Sequence, residues 1–290
     1  MGYQVDNAII MAAGLSSRFA PLSYEKPKPL INVQGEILVE RQIRQLREKG
    51  ISDIILVTGY KKEQFYYLKE KFNITIVENK EYFIRNNHAS IYAAREYLSN
   101  TYICSADNYF LINPFEAEVE ESYYAALFAP DETAEWCLTT DEDDYITDIE
   151  IGGRHQWYMM GQTFWSESFS HSFIQILEEI YDEEETKGKL WESIYQEHLQ
   201  QLKMKIRRYQ ENQIFEFDSL DELRLFDNRY NIHSGSTIME DIAGFFHCPE
   251  RCITNLEPVK SPSEMVIGVK FCFENHNYQY LYDKREIKQL

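Results

Sequence analysis

Residues 6–14 read DNAIIMAAG, an apolar run that ends in small residues. A continuous apolar run of this length predicts a strand buried on both faces, as in a parallel sheet, that leads into a loop. Three further strands are predicted at 51–59, 74–77 and 100–106, with helices at 41–49, 62–71 and 90–98. This alternation is typical of a doubly wound α/β sheet, in which ligands bind beyond the carboxyl ends of the strands. Gly14 and Asp107 both follow predicted strands, so we expect them at one crevice.

The alternation changes from Tyr123 onward. Strands are predicted at 125–128, 136–138, 146–151, 157–165 and 214–217, with a turn at Gly152-Gly153 and helices at 169–181, 190–202 and 220–226. Polar residues at 231–236 indicate a linker. A short helix at 238–246 and strands at 266–274 and 278–282 follow. We therefore predict a large domain over residues 1–229 and a small α+β appendage over 230–290.

The composition excludes several classes of function. The 290-residue chain has a formal net charge of −19 at pH 7, whereas a nucleic-acid binder needs a basic stripe. The same acidity disfavours anionic membrane surfaces, and no apolar run reaches the roughly 18 residues of a membrane-spanning helix. The five cysteines are scattered and odd in number, which favours a reducing cytoplasm. Any anionic substrate must therefore be met by a few local cations, amides or a metal.

Small residues follow the first predicted strand. Successive amides at Ala12, Ala13, Gly14, Leu15, Ser16 and Ser17 form a potential cradle for phosphate groups. Arg18 and Lys28 supply positive charge, and prolines on both sides stiffen the segment around the lysine. Any strand-to-helix turn also needs glycine, so the loop alone leaves a purely structural interpretation open.

Two aspartates follow predicted strands, Asp107 in the segment 105–109 and Asp218 in the segment 216–219. Magnesium takes one or two carboxylates together with phosphate oxygens and waters. We therefore predict that Asp107 and Asp218 bind Mg²⁺ beside the phosphate loop. The alternative is that each aspartate caps a turn or helix, and Asp218 precedes the helix predicted from Leu220.

The loop and the lysine segment together resemble the signature of sugar-phosphate and choline-phosphate nucleotidyltransferases. Asp107-Asn108-Tyr109, Phe217-Asp218-Ser219, residues 60–71 and Glu135-Trp136 resemble more narrowly the bacterial CTP:phosphocholine cytidylyltransferases. The resemblance covers roughly residues 7 to 227. It implies an α/β, Rossmann-like nucleotide-diphospho-sugar transferase fold with a mixed central sheet.

The resemblance also implies an activity, the Mg²⁺-dependent transfer of CMP from CTP to phosphocholine, giving CDP-choline and pyrophosphate. Arg18 and the amides of residues 13–17 are then expected to hold the β- and γ-phosphates, and Lys28 the phosphates undergoing transfer. Asn87 and Ser90 are expected to contact the pyrimidine, although a structural Asn and a helix-capping Ser are equally consistent with the sequence.

The acceptor is predicted from aromatic residues and one acid. A trimethylammonium group needs aromatic faces and a carboxylate, because it offers no donor hydrogens. Trp136, Trp191 and Glu192 lie where the family carries aromatics and an acid, with Glu192 longer than the expected Asp. Any of these aromatics is also a candidate for the core. 2-Aminoethylphosphonate, a sugar phosphate, or a non-catalytic nucleotide sensor remain open alternatives.

The segment 238–282 resembles the opening β-hairpin of a choline/ethanolamine kinase N-lobe. Ser261-Pro262-Ser263-Glu264 replaces the Gly-rich turn of that lobe, so kinase activity does not follow. We expect this appendage to be a remnant or a contact element of a homodimer.

Overall fold

The computed structural model describes residues 2–290, and its largest element is a seven-stranded mixed sheet. The strands are β1 Asn7–Ala12, β2 Ile54–Thr58, β3 Thr75–Glu78, β4 Thr101–Ser105, β5 Tyr123–Thr140, β6 Ile146–Trp165 and β7 Lys205–Arg208. Their order across the sheet is β7-β5-β6-β4-β1-β2-β3. β1 pairs parallel to β2 and β4, β2 pairs parallel to β3, and β6 pairs antiparallel to β4. The predicted mixed α/β sheet is confirmed.

The parallel strands lie on both sides of β1. All five residues of β2 are buried, and Ala8, Ile9 and Ile10 of β1 have no exposed surface. A strand covered on both faces has no solvated side chains, which explains the uninterrupted apolar runs. The first four strands are therefore confirmed, each with ends within a few residues of the prediction.

Eight α-helices are present in the described chain. They are α1 Leu22–Glu25, α2 Leu38–Glu48, α3 Tyr67–Phe72, α4 His88–Ala93, α5 Glu167–Ile180, α6 Trp191–Glu197, α7 Leu220–Phe226 and α8 Thr237–Phe245. Several are shorter than predicted, because Ala94 and His198 leave helical backbone geometry immediately after α4 and α6. None of the helices within residues 2–290 has the length and apolar character needed to cross a bilayer.

The strands β5 and β6 form one long hairpin with several register shifts. The predicted turn at Gly152-Gly153 is wrong, since both glycines lie inside β6. Gly152 has a φ of 82°, a conformation that glycine adopts without strain and that suits an irregularity in the strand. The chain reverses instead at 141–145, where the Asp141 carboxylate accepts from the backbone N–H of Asp143 and Tyr145.

The chain divides into two compact units. The first contains the residues up to Gly14 and Leu38–Phe215, and the second contains Leu15–Ile37 and Glu216–Leu290. The predicted boundary between residues 229 and 230 falls inside the second unit. The segment that carries Arg18 and Lys28 thus groups with the C-terminal residues, while the domain division at 229/230 stays a prediction.

The second unit contains a four-stranded antiparallel sheet in the order β8-β9-β10-β11. Its strands are β8 Thr254–Lys260, β9 Val266–Phe273, β10 His276–Leu281 and β11 Glu286–Gln289. Two of these strands were not predicted. Phe246, the C-cap of α8, packs its ring against Phe271 of β9 at 6.0 Å and Tyr278 of β10 at 4.8 Å between centroids, so the end of the helix packs on the sheet.

Candidate active site

The loop after β1 changes from extended to helical backbone within a few residues. Ala12 and Ala13 are buried, and Ser16 has a left-handed φ of 47° before the 3₁₀ turn Ser17–Phe19. The carbonyl of Ala13 accepts from Tyr60 N–H at 3.2 Å. The predicted strand-to-loop transition is confirmed, and the carbonyl of Ala13 is already hydrogen-bonded within the protein.

Gly14 stands in open space. A Cβ built on Gly14 would meet no heavy atom of the described residues within 4 Å. Its φ also lies outside the left-handed region that favours glycine. Neither backbone geometry nor protein packing therefore requires glycine here, so the space beside it is free for a ligand to approach the backbone.

Asp107 lies at the same edge of the sheet. It follows β4 in a turn that leads into the short strand Asn108–Phe110, and its side chain is half-buried. Ala106 N–H donates to the carbonyl of Met11 at 3.2 Å, which ties this turn to the carboxyl end of β1. The expectation that the β1 loop and Asp107 share one edge is confirmed.

Arg18, Lys28 and Asp218 form a charged cluster in the second unit. Arg18 Nη1 lies 2.7 Å from Asp218 Oδ2, and Lys28 Nζ lies 3.5 Å from Asp218 Oδ1. Lys28 Nζ also lies 3.7 Å from Glu216 Oε1. The side chain of Lys28 is only 4% exposed, whereas that of Arg18 is 75% exposed. The structure thus brings together three of the four predicted catalytic side chains within one unit.

The backbone around Lys28 is a 3₁₀ turn, Lys28–Leu30. Pro27 N-terminal to the turn accepts from Leu30 N–H, and Lys28 accepts from Ile31 N–H at 3.0 Å. Because proline fixes its own φ, Pro27 and Pro29 restrict the conformations open to this segment. The predicted stiffening of the lysine segment agrees with this geometry.

Asp218 is not the cap of the helix that follows it. Ser219 is the N-cap of α7 and accepts from Glu222 N–H at 3.2 Å. Glu222 in turn accepts from the backbone N–H of Asp218 at 2.8 Å. The carboxylate of Asp218 faces the two cations instead, and it is 32% exposed. The capping interpretation of Asp218 is therefore wrong.

The two predicted metal ligands, Asp107 and Asp218, are both carboxylates. Among residues 2–290, no three His, Cys, Asp or Glu side chains cluster closely enough to hold a metal alone. Mg²⁺ usually keeps several waters and binds through one or two carboxylates plus substrate phosphates. Asp107 and Asp218 supply this kind of oxygen ligand, so the residues present fit the ion. Their pairing around one ion stays a prediction.

A second cluster, in the first unit, surrounds Glu192. Asn87 Nδ2 donates to Glu192 Oε2 at 3.0 Å, and Tyr124 O–H donates to Oε1 at 3.3 Å. The backbone N–H of Trp191 donates to Asn87 Oδ1 at 2.7 Å, which fixes the orientation of that amide. Burial raises the pKa of Glu192 to about 7, although both hydrogen bonds favour the ionised form. We call Asn87, Tyr124, Trp191 and Glu192 the acidic cluster.

The aromatic residues near Glu192 differ in accessibility. Trp191 is 1% exposed; its ring stacks on Tyr124 at 5.6 Å between centroids and meets Trp165 edge-on at 5.1 Å. Trp136 is only partly buried and packs against the same core. Trp191 therefore supports the acidic cluster from the core, and direct ligand contact by Trp136 and Trp191 stays a prediction. Tyr124 was not predicted as a site residue, because it lies in an apolar run that indicates only a buried strand.

The two residues predicted to contact a pyrimidine, Asn87 and Ser90, both belong to the first unit. Asn87 engages Glu192 and Trp191, so in this structure it belongs to the acidic cluster. Ser90 is buried within α4 and accepts from Asn79 Nδ2 at 3.2 Å. Asn87 therefore has the structural role that the sequence left open, whereas Ser90 lies inside α4, whose N-cap is Asn87, so the helix-capping alternative for Ser90 is wrong. Nucleotide contact by either residue stays a prediction.

Comparison with known proteins identifies the family of this chain. The family model of the MobA-like NTP transferase domain matches residues 8–150. Choline-phosphate cytidylyltransferase from Streptococcus pneumoniae is 35% identical over 75% of this chain and 95% of its own length. 2-Aminoethylphosphonate cytidylyltransferase from Lancefieldella rimae is 36% identical over 77% of this chain and 93% of its own length.

A solved structure gives the same fold. CTP:phosphocholine cytidylyltransferase from Streptococcus pneumoniae superposes with a TM-score of 0.75 and 34% identity, covering 78% of this chain and 99% of that chain. The predicted fold class and the resemblance are both confirmed. About a fifth of this chain lies outside the superposed region. The likeness of residues 238–282 to a kinase lobe stays a prediction.

Proposed function

The chain belongs to the cytidylyltransferase family of nucleotidyltransferases, and on that basis we propose that it transfers CMP from CTP to phosphocholine, giving CDP-choline and pyrophosphate. One observation carries the proposal more than any other. Arg18 and Lys28 converge on Asp218 in the second unit, as a site for a triphosphate and its metal requires. The strong negative charge of the whole chain makes such a local cluster of cations necessary for binding CTP.

The reaction needs little acid–base chemistry. A phosphate oxygen of the acceptor attacks the α-phosphorus of CTP in line, and the bond from that phosphorus to the bridging oxygen of pyrophosphate breaks. The acceptor oxygen is already ionised near neutral pH, so no side chain has to remove a proton. Catalysis then rests on positioning and on neutralising charge.

The cations have different tasks. Arg18 is largely exposed, and an exposed ion pair contributes little to stability. Its guanidinium can therefore leave Asp218 and bind the β- and γ-phosphates at little cost in stability. Lys28 is buried beside two carboxylates, which hold its ammonium group in place for the phosphates undergoing transfer. A preplaced charge in a site without water stabilises the transition state strongly.

Asp107 and Asp218 are the residues that would hold Mg²⁺. A bound Mg²⁺ would supply Lewis-acid neutralisation of phosphate charge. Release of the Asp218 carboxylate from Arg18, as that arginine turns to the triphosphate, would leave an oxygen for the ion. The amides of residues 13–17 would meanwhile donate to the phosphates.

The acidic cluster is the proposed site for the cationic head of the acceptor. A cation beside Glu192 favours the ionised carboxylate, and the nearby aromatic side chains suit a trimethylammonium group. A second candidate acceptor is 2-aminoethylphosphonate, favoured by the 36% identity to an enzyme named for it. Its primary ammonium group would use the carboxylate oxygens of Glu192 as hydrogen-bond acceptors.

Pyrophosphate release separates these possibilities. The four nucleoside triphosphates are each combined with phosphocholine, 2-aminoethylphosphonate or glucose 1-phosphate in the presence of Mg²⁺. We expect turnover with CTP and phosphocholine above all other pairs. Highest turnover with the phosphonate would establish the second candidate, and nucleotide binding without pyrophosphate release from any pair would establish a sensor. A cytoplasmic location stays a prediction.

A further inference from the structure

The C-terminal residues of the second unit hold the segment that carries the catalytic cations. Glu25 ends α1, between Arg18 and Lys28 in the chain. One oxygen of its carboxylate accepts from Thr237 N–H at 3.0 Å and also from the Thr237 hydroxyl. Thr237 is the first residue of α8, whose N-cap is Ser236. The carboxylate of Glu25 thus lies at the N-terminal end of a helix, where negative charge is favourable.

Further contacts hold the same segment on both sides of Lys28. The rings of Tyr24 and Tyr282 lie 4.0 Å apart between centroids. After the lysine, Tyr230 O–H donates to the carbonyl of Asn32 at 2.7 Å. Gln34 N–H donates to the carboxylate of Asp227 at 2.8 Å. Residues 227–290 therefore contact the segment before and after Lys28, and we call them the brace.

The brace also holds the helix that follows Asp218. Arg224 of α7 is 5% exposed and donates to the carbonyls of Glu250 at 2.8 Å and Ile253 at 2.7 Å. Asp221, in the first turn of α7, accepts from the backbone N–H of Asn255 at 3.0 Å. The brace therefore contacts both partners of the charged cluster, the segment with the cations and the helix next to the carboxylate.

The segment with the cations needs such support. Its helical parts are only short turns, Ser17–Phe19, Leu22–Glu25 and Lys28–Leu30. Helical turns this short are unstable by themselves, because nucleation is unfavourable and few hydrogen bonds follow it. Contacts from elsewhere must fix them.

We propose that the brace positions Arg18 and Lys28 for the triphosphate, and that Thr237 is a positioning residue for CTP through Glu25. The proposal rests on the proposed function only in naming CTP as the ligand. The brace begins where the sequence resemblance to the cytidylyltransferases ends, near residue 227. It thus gives a role to residues that the family resemblance leaves without one.

The test compares CTP affinity in matched variants of the full chain. Thr237→Val removes the hydroxyl and keeps the shape, whereas Thr237→Ser keeps both donors. Thr147→Val is the matched control, since it removes a hydroxyl that donates to the carbonyl of Thr139 at 3.2 Å in the hairpin of β5 and β6, outside the brace. Binding of CTP with Mg²⁺ is measured by titration calorimetry, and thermal unfolding is followed for each variant.

We expect Thr237→Val to weaken CTP binding about tenfold, as loss of one hydrogen bond to a charged group predicts. Thr237→Ser should restore it, and Thr147→Val should leave CTP affinity unchanged. Equal CTP affinity in Thr237→Val and the unmodified chain would overturn the proposal. An equal loss of CTP affinity in Thr147→Val would also overturn it, because the effect would then not be specific to the contact with Glu25. Because binding is measured without an acceptor, absence of pyrophosphate release would disprove the proposed function and leave this result intact.

Discussion

Replacement of Glu192 by Gln should stabilise the folded protein at high pH and weaken its binding of the acceptor. Burial raises the pKa of Glu192 from its ordinary value of 4.5 to about 7. The folded state therefore holds a proton that the unfolded state releases earlier. The contribution of the protonated Glu192 to the free energy of unfolding is fully present below pH 4.5. It decreases as the pH rises and is lost above pH 7. A difference of two to three pH units corresponds to about 3 kcal/mol.

Gln cannot ionise, so the variant should lack this pH dependence. At pH 8 we expect Glu192→Gln to be more stable than the unmodified protein by up to about 3 kcal/mol. At pH 4.5 the two should differ little, because Tyr124 O–H is able to accept from the new amide in place of donating. The assay is urea denaturation at several pH values between 4.5 and 8. The quantity compared is the difference in free energy of unfolding between the two proteins.

The same variant should lose affinity for the acceptor. A cationic head needs the ionised carboxylate, so the KM for phosphocholine of the unmodified protein should rise about tenfold for each pH unit below 7. Glu192→Asp retains the charge and serves as the control. A stability difference independent of pH, or a lower stability of Glu192→Gln at pH 8, would refute the assignment of a raised pKa to this carboxylate.

Two further predictions concern the phosphate loop and Asp218. Gly14→Ala should leave the melting temperature within about 2 °C of the unmodified protein, because a Cβ there meets no described atom within 4 Å. CTP affinity should nevertheless fall at least about tenfold if the backbone approaches phosphate, and unchanged affinity would remove Gly14 from the cradle. Ser219→Ala should destabilise the protein by about 1 kcal/mol with little effect on kcat, as expected for a helix cap. Asp218→Asn should instead lower kcat about a hundredfold and change the stability little. Denaturation and steady-state kinetics on both variants test these roles, and a large loss of kcat in Ser219→Ala but not in Asp218→Asn would contradict them.

The parts of the fold that the sequence predicted are those with a simple burial pattern. β1 and β2 are covered on both faces, so their apolar runs leave no ambiguity. The long hairpin of β5 and β6 was divided into short strands, because exposed polar residues and glycines interrupt its apolar residues. Gly152 was predicted to form a turn, but its positive φ instead allows an irregularity within β6.

The site was predictable only where residues carry a family signature. Lys28 and Asp218 are far apart in the chain, and no local sequence pattern links them. Only the family resemblance indicated that they belong to one site. Tyr124 was not predicted, because an apolar run gives no sign that its hydroxyl donates to Glu192. The contact of Glu25 with Thr237 was missed for a related reason, since long-range pairs of polar side chains leave no periodic signal.

Asp107, at the carboxyl edge of the sheet, is proposed to hold the Mg²⁺ that neutralises the phosphate charge of CTP. The most direct measurement is pyrophosphate release from CTP and phosphocholine by Asp107→Asn. Asp53→Asn is the matched control, because this exposed carboxylate precedes β2 at the opposite edge. We expect Asp107→Asn to lose at least about a hundredfold in kcat with its melting temperature retained, and Asp53→Asn to remain active. Normal turnover by Asp107→Asn would contradict the account.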